Sequence, residues 1–288
     1  MALMKSPPNV RTSILPRSMC DKDFKRFSEF VYNECGIKLT PAKKTMVQAR
    51  LQKRLRALEF EGYEKYIEYL FSPQGMDKEL HHLIDVVTTN TTEFFREPRH
   101  FDFLLNQVLP EWTSSRGPGA MSVWSAGCSS GEEPYTLAMV LSDFSGKSGG
   151  FRFKILATDI SNQVLQKAVR GIYPADRARS IPHAFKKEYL LRSKEKGTNL
   201  VRIGPDIRRL VRFRRLNFME NFGFQEKMDV IFCRNVIIYF DHPTQKIVLN
   251  RFCDHLSKGG YLFIGHSESL AGMTLPLRQV APTIYCKM

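Results

Sequence analysis

Apolar positions recur at helical spacing through the first third of the chain. Phe24, Phe27 and Val31 share one face of a predicted helix that Cys35-Gly36 ends. Thr40-Pro41 opens a second helix with Val47, Leu51, Leu55 and Leu58 as its apolar stripe. Lys43, Arg50 and Arg54 run in a line beside that stripe. Tyr63, Ile67 and Leu70, and then residues 80–87, predict further short helices. Residues 21–91 therefore read as an all-helical domain. The aperiodic, Pro- and Ser-containing stretch 1–20 is expected to be a flexible N-terminal arm.

From about residue 92 the period changes. Residues 122–126, 153–159, 228–233 and 261–265 are short apolar strands, and 134–141, 162–169 and 244–256 are helices between them. That alternation predicts a parallel α/β sheet with helices on both faces. Residues 175–215 interrupt it, with short strands expected at 188–191, 199–203 and 210–214. The expected architecture is a Rossmann-like α/β domain over 92–288. It carries a small antiparallel β-subdomain inserted at about 175–215 and follows the helical domain.

Composition narrows the class. A chain of 288 residues, 43% hydrophobic and 25% charged, suits a globular protein of about two domains. No apolar run approaches the ~20 residues that span a bilayer. The N-terminus has charge but no continuous apolar core, so no secretory signal is read there. A cytoplasmic protein is expected. The six cysteines form no CxxC pair and are read as reduced thiols. Paired Cys or His at zinc spacing is missing, and no metal is expected.

Charge changes the picture more. The formal net is +14, and two blocks carry it: residues 1–60 at +8 and residues 192–215 at +7. Two local basic surfaces imply an acidic partner: nucleic acid, an acidic lipid surface or an acidic protein.

The candidate chemistry begins at residues 124–134. A strand runs into Gly127-Cys-Ser-Ser-Gly131 and then into a helix led by Glu132 and Glu133. Such a turn lets a ligand approach the backbone and the helix N-terminus. GxxxxGK[ST] and GxGxxG are both missing, which disfavours a P-loop ATPase and a dinucleotide site. Two carboxylates at the helix start suit a cationic ligand, although for one acid alone the helix macrodipole explains the choice. Asp159 ends the next strand, 28 residues beyond Gly131, where a carboxylate can accept both ribose hydroxyls. It reads equally as a helix cap when taken alone. Adenosine recognition without phosphate features fits S-adenosylmethionine (SAM).

Two further segments stand out. Residues 233–240, Cys-Arg-Asn-Val-Ile-Ile-Tyr-Phe, leave the carboxyl end of a strand, where α/β sheets bind ligands. The [DNS]PP[YFW] motif of nucleic-acid amino methyltransferases is missing there, and Arg234 and Tyr239 are donors suited to an anionic target. Packing in an apolar helix explains Tyr239 as well. At the domain join, Thr88-Thr-Asn-Thr-Thr precedes Glu93-Phe-Phe-Arg96.

Taken together, Thr-Asn-x-Thr-x-Phe-Phe-Arg at 89–96, Ser-x-Gly-Glu-Glu-Pro-Tyr at 129–135, Thr-Asp-Ile at 158–160 and Phe-Cys-Arg-Asn-Val-x-Ile-Tyr-Phe at 232–240 resemble the CheR family of bacterial chemotaxis receptor methyltransferases. The resemblance covers residue 21 to the C-terminus. It implies methyl transfer from SAM to glutamate side chains of chemoreceptors, leaving glutamyl methyl esters and S-adenosylhomocysteine. By motif position it implies that Asn90, Thr92, Arg96, Gly127, Glu133, Asp159, Asn217, Phe218, Arg234 and Asn235 line the SAM site. Arg96 and Tyr239 would flank the methyl group. Leu is common in the family where Phe218 stands here. The basic helix then becomes a candidate receptor-docking surface through Lys43, Arg50, Lys53 and Arg54, with a solvated flank as the bland explanation. The inserted β-subdomain resembles the part of the family that binds a C-terminal peptide tether of some receptors. The expected partner is thus the cytoplasmic helical domain of chemoreceptors at membrane receptor arrays, without nucleic acid and without membrane insertion. A nucleic-acid methyltransferase on the same fold and a non-catalytic SAM-binding adaptor are the competing readings.

Overall fold

The structure, a computed structural model, describes residues 18–115, 119–195 and 197–288. Most of the expected arm, residues 1–17, lies outside the described residues. Its last part is not an arm: Met19 is buried, so packing begins two residues before the first helix. The chain divides into two compact units, Met1–Phe30 with Leu39–Val87, and Val31–Lys38 with Thr88–Met288.

The first unit is helical. Helix α1 (Asp21–Cys35) starts with Asp21 and Asp23, acids that favour a helix N-terminus, and its last turn already belongs to the second unit. A 3-10 turn at Pro41–Lys43 leads into α2 (Lys44–Ala57), followed by α3 (Tyr63–Leu70) and α4 (Pro73–Val87). Val47, Leu51 and Leu55 of α2 are buried at the expected spacing. Leu58, the fourth residue of the expected stripe, caps the helix and is half-buried.

The second unit holds a seven-stranded sheet. Helix α5 (Pro98–Phe103), a π-turn at Leu104–Val108 and α6 (Leu109–Ser115) precede it. Next come β1 (Ala120–Ala126), α7 (Glu132–Ser148), β2 (Arg152–Asp159) and α8 (Asn162–Arg170). The insertion contains β3 (Ile172–Pro174), α9 (His183–Tyr189), β4 (Leu190–Arg192), β5 (Leu200–Ile203) and α10 (Pro205–Arg208). The sheet resumes with β6 (Val211–Arg215), β7 (Met228–Cys233), α11 (His242–His255), β8 (Leu256–Ile264), β9 (Leu277–Ala281) and β10 (Ile284–Lys287). Spatial order is β6-β2-β1-β7-β8-β10-β9. The first five strands are parallel, and β10 runs antiparallel to both neighbours.

Successive side chains of β1 mark the two faces. Ser125 donates to Glu133 of α7, whereas Trp124 packs against Phe218, Phe222, Phe224 and Phe252 of α11. Ten consecutive residues of α7, from Glu132 to Leu141, are buried. The apolar run 137–141 suits a helix covered on all sides, and the buried polar residues before it have partners: Glu132 accepts from Ser130 Oγ, Glu133 from Ser125 Oγ, and Thr136 Oγ1 donates to the Glu132 carbonyl. Gly131, at φ +97°, makes its approach possible: a Cβ there would lie 2.9 Å from Ala168 Cβ and 3.0 Å from the Tyr173 hydroxyl.

Two expectations need correction. The segment 210–214 is a strand, but β6 extends the main sheet parallel to β2; the small antiparallel sheet is β3-β5-β4. Alternation identifies a strand and not its neighbour. The main sheet is also mixed rather than parallel throughout, because the β9–β10 hairpin adds antiparallel strands beyond β8. Its strands are half-exposed and carry Arg278, Gln279 and Lys287 among their apolar residues, so the apolar signal is weak.

Candidate active site

Four segments meet at the carboxyl ends of β1, β2, β7 and β8. Gly127 turns the chain out of β1 at φ +83°, and a Cβ there would stand 2.4 Å from Val236 Cγ2. Its N–H donates to the Thr158 carbonyl, tying the β1 turn to the β2 end. Asp159 is buried and accepts from the Ser129 N–H (2.8 Å) and the Ser161 N–H (2.9 Å). Ser129 Oγ donates to the Asn90 carbonyl, which brings in the polar strap 88–97.

Arg234 is the hub. It is 7% exposed, and its Nε donates to Glu133 at 2.6 Å. Its Nη1 donates to the Arg96 carbonyl at 2.6 Å and to His100 Nδ1 at 3.2 Å, with Glu97 at 3.5 Å. The guanidinium carbon also lies 5.4 Å from the Phe101 ring centre and 5.5 Å from that of Phe232. A buried charge is tolerable only with partners on several sides, and Arg234 has them. Glu133 takes a second bond from Ser125 Oγ.

Electrostatics follow from this burial. His100 has its pKa pushed down to about 3, first by burial, then by the Arg234 and His266 charges. It is therefore neutral. Since Arg234 can only donate, Nδ1 accepts and Nε2–H donates to Thr283 Oγ1 at 2.8 Å. Burial pushes the thiols of Cys128 and Cys233 well up, so neither is a thiolate near neutral pH. Glu97, His100 and His266 place ligand-type atoms within 4.8 Å of one another, but the Arg234 guanidinium already supplies the positive charge there.

Phe95, Glu97, Ser129 and Asn235 adopt left-handed backbone with φ of 55°, 56°, 48° and 59°. Each costs about 1–3 kcal/mol and persists only where its surroundings over-determine it. All four lie in the segments gathered here.

The expected site residues are placed as follows. Asn90, Thr92 and Arg96 are half-buried on the strap; Asn90 Nδ2 donates to Thr88 Oγ1 and Arg96 Nη1 to the Thr91 carbonyl. The Tyr239 hydroxyl bonds the Thr89 carbonyl at 3.4 Å, so Arg96 and Tyr239 tie to the same strap. Asn217 sits near the β2 end, because the Leu216 N–H donates to the Asp159 carbonyl. Its side chain donates to the Glu34 carbonyl at 2.7 Å and accepts from the Met219 N–H. The Phe218 ring packs in the Trp124 cluster, and its carbonyl accepts from Arg251. In the helical unit, Arg54 makes a two-pronged pair with buried Glu79 at 2.5 and 2.8 Å, and Arg50 donates to the Val86 carbonyl. Lys43 is half-buried and Lys53 exposed.

Sequence reasoning missed His100, Glu268 and Arg177. Glu268 is buried and accepts from backbone N–H groups of the 235–238 turn. Its position just past the end of β8, like that of Asp159 at the end of β2, is the signal that could have found it.

The donor set fits SAM. A carboxylate stands at the β2 end, and acids rather than a lysine lead α7. Comparison with known proteins agrees. The family model "CheR methyltransferase, SAM binding domain" matches residues 90–286, and "CheR methyltransferase, all-alpha domain" matches 22–88. The "Chemotaxis protein methyltransferase" of Borreliella burgdorferi is 42% identical over 270 residues, covering 92% of this chain and 94% of that protein. Its Salmonella typhimurium counterpart is 35% identical over 289 residues, covering 98% of each. Among solved structures, a DszA carbon methyltransferase aligns at 15% identity and TM-score 0.37, over 84% of this chain and 51% of that one. The two family models together span nearly the whole chain, and the chain belongs to the CheR methyltransferase family.

Proposed function

We propose that this SAM-dependent methyltransferase methylates glutamate side chains of chemoreceptors, producing glutamyl methyl esters for sensory adaptation. The observation that carries the reading is that, among the described residues, the buried histidine and the buried thiols around Arg234 are not available as bases. His100 is neutral with a pKa near 3 and both ring nitrogens engaged, and burial keeps Cys128 and Cys233 protonated. Such a site suits a nucleophile that is already ionised. A glutamate, with a pKa of about 4.3, is ionised at pH 7.

SAM supplies a methyl group on a positively charged sulfur. The glutamate oxygen attacks that carbon in line; the O–C bond forms as the C–S bond breaks, the electron pair goes to sulfur, and no proton moves. Asp159 and Asn235 hold the adenosine side, and Arg234 with Glu133 fixes the strap. Arg96 and Tyr239 orient the incoming carboxylate. The charge on that carboxylate disappears in the reaction, so a tight ion pair to Arg96 would stabilise the ground state and slow transfer. A half-buried Arg96 suits orientation without full pairing.

Docking falls to two surfaces. Exposed Lys53 on α2, with Lys43 in the 3-10 turn just before it, faces the acidic receptor helix, while Arg50 and Arg54 hold the helical unit together. On the β-subdomain, a groove of about 650 Å³ has apolar walls at Ala178 and Leu200 and cations at Arg179, Lys186, Lys187 and Arg192. It suits a receptor tether with apolar and acidic residues. The test is labelled methyl transfer from SAM to receptor-containing membranes, with RNA alongside, followed by mild alkali. Alkali-labile label on the receptor supports the ester; label on RNA, or alkali-stable label on protein, sinks it.

A further inference from the structure

One carboxylate holds the turn that leaves β7. Glu268 is 6% exposed, yet it accepts four backbone N–H groups. Its Oε2 takes those of Asn235 at 2.9 Å and Gly265 at 2.5 Å; its Oε1 takes those of Val236 at 2.8 Å and Ile238 at 3.4 Å. These donors sit where the chain has neither a ladder nor a full helix: Asn235 is left-handed at φ 59°, and Ile237–Tyr239 is a single 3-10 turn. Buried N–H groups left without acceptors are costly. An ionised carboxylate offers about four lone-pair sites, which matches four donors. A glutamine would turn its own N–H groups toward some of them.

The turn is gripped from a second side. A Cβ on Gly265 would stand 2.6 Å from Asn235 Nδ2 and 2.9 Å from its backbone nitrogen, so this side chain passes directly over Gly265. Gln245 of α11 closes the far end, donating to the Ile237 and Phe240 carbonyls. Asn235 and Tyr239 thus hang from a turn whose backbone path is set by Glu268.

We infer that Glu268 is a positioning residue of the methyl-transfer site, acting through Asn235 to set cofactor affinity and through the same turn to place Tyr239. The inference rests on the proposed reading that Asn235 and Tyr239 belong to that site.

The test compares wild type with Glu268→Gln and Glu268→Asp, using calorimetric titration with S-adenosylhomocysteine, methyl-transfer kinetics and thermal unfolding. Glu268→Gln should weaken binding at least tenfold and lower kcat, with Glu268→Asp intermediate. A double variant with Asn235→Ala should bind no more weakly than the poorer single variant, since both act through one residue. Additive losses, or unchanged affinity in a folded Glu268→Gln protein, overturn the inference. If Glu268→Gln does not fold, Glu268→Asp decides by amide exchange at Asn235 and Val236: faster exchange with weaker binding supports it, and wild-type affinity overturns it. Failure of the wild type to methylate receptors counts against the proposed function instead, because the binding titration is independent of the acceptor.

Discussion

The Arg177 guanidinium, from the inserted segment, donates to the carbonyl of Thr92 on the strap at 3.0 Å. Three residues on, Ser180 Oγ donates to the Phe94 carbonyl at 2.7 Å. Between them Ala178 lines the β-subdomain groove. The strap is therefore held by the same turn that walls the groove. Arg177→Ala removes one solvent-exposed, charge-assisted bond worth about 1 kcal/mol. The expected result is roughly fivefold weaker S-adenosylhomocysteine binding with little change in thermal unfolding. Calorimetry and a melting curve on the same protein check both halves.

Arg234 should behave as a keystone. Arg234→Met leaves Glu133 buried with Ser125 as its remaining side-chain partner among the described residues, and losing one partner of a buried pair costs about 3–5 kcal/mol. Denaturant unfolding should show that loss. Adding Glu133→Gln, which removes the stranded charge, should recover part of the stability without restoring methyl transfer.

His100 gives the domain a defined acid sensitivity. Its pKa is about 3 folded and about 6.5 unfolded, so between those values the unfolded chain binds the extra proton. Stability from this group is complete above pH 6.5 and is lost as pH falls toward 3. The slope approaches about 1.4 kcal/mol per pH unit. Between pH 6.5 and 5, where few carboxylates titrate, His100→Gln should flatten the measured dependence. An unchanged slope would remove His100 from the account.

If the proposed docking surface on α2 is right, variants of the helical unit separate docking from stability. Lys53→Glu should lower receptor methylation severalfold while leaving unfolding and S-adenosylhomocysteine affinity alone. Arg54→Ala should do the reverse to the fold. Burial pushes the Glu79 carboxyl pKa up, but the Arg54 hydrogen bonds and charge bring it below the usual range, so Glu79 is an anion needing that partner. Losing that partner should cost up to about 3–5 kcal/mol. Chemical unfolding of the full chain, beside an initial-rate assay on receptor membranes, distinguishes the two variants.

What was legible in the sequence followed from burial geometry. Strand β7 is buried throughout and β1 in all but its first residue, so both read as largely apolar runs, whereas β2 is buried only toward its carboxyl end and its apolar signal starts after Lys154. The β9–β10 hairpin, covered on one side at most, carried no such run. Motif residues that share a segment, such as Asn90 with Arg96, could be paired by spacing. Arg234 with His100 could not, because 134 residues separate partners that meet at 3.2 Å. The roles of Arg50 and Arg54 were hidden for the opposite reason: a basic side chain flanking an apolar stripe looks the same whether it faces water or reaches inward to Glu79 and Val86.

Strand β6 ends the hydrogen-bonded order of the large sheet. Such a border can recruit a strand from another molecule, and proteins guard it with charge. Here Arg212, Arg214 and Arg215 occupy three of its five positions, the first two exposed. Part of the positive charge that suggests a partner therefore lies on a sheet border, where charge discourages strand pairing between copies. Salt acts on the two roles in opposite senses. Raising ionic strength screens attraction to an acidic receptor, and it also lowers repulsion between two such borders. Light scattering against salt should then show self-association growing as receptor binding fades, and replacing Arg212 and Arg214 by threonine should bring it on at lower salt.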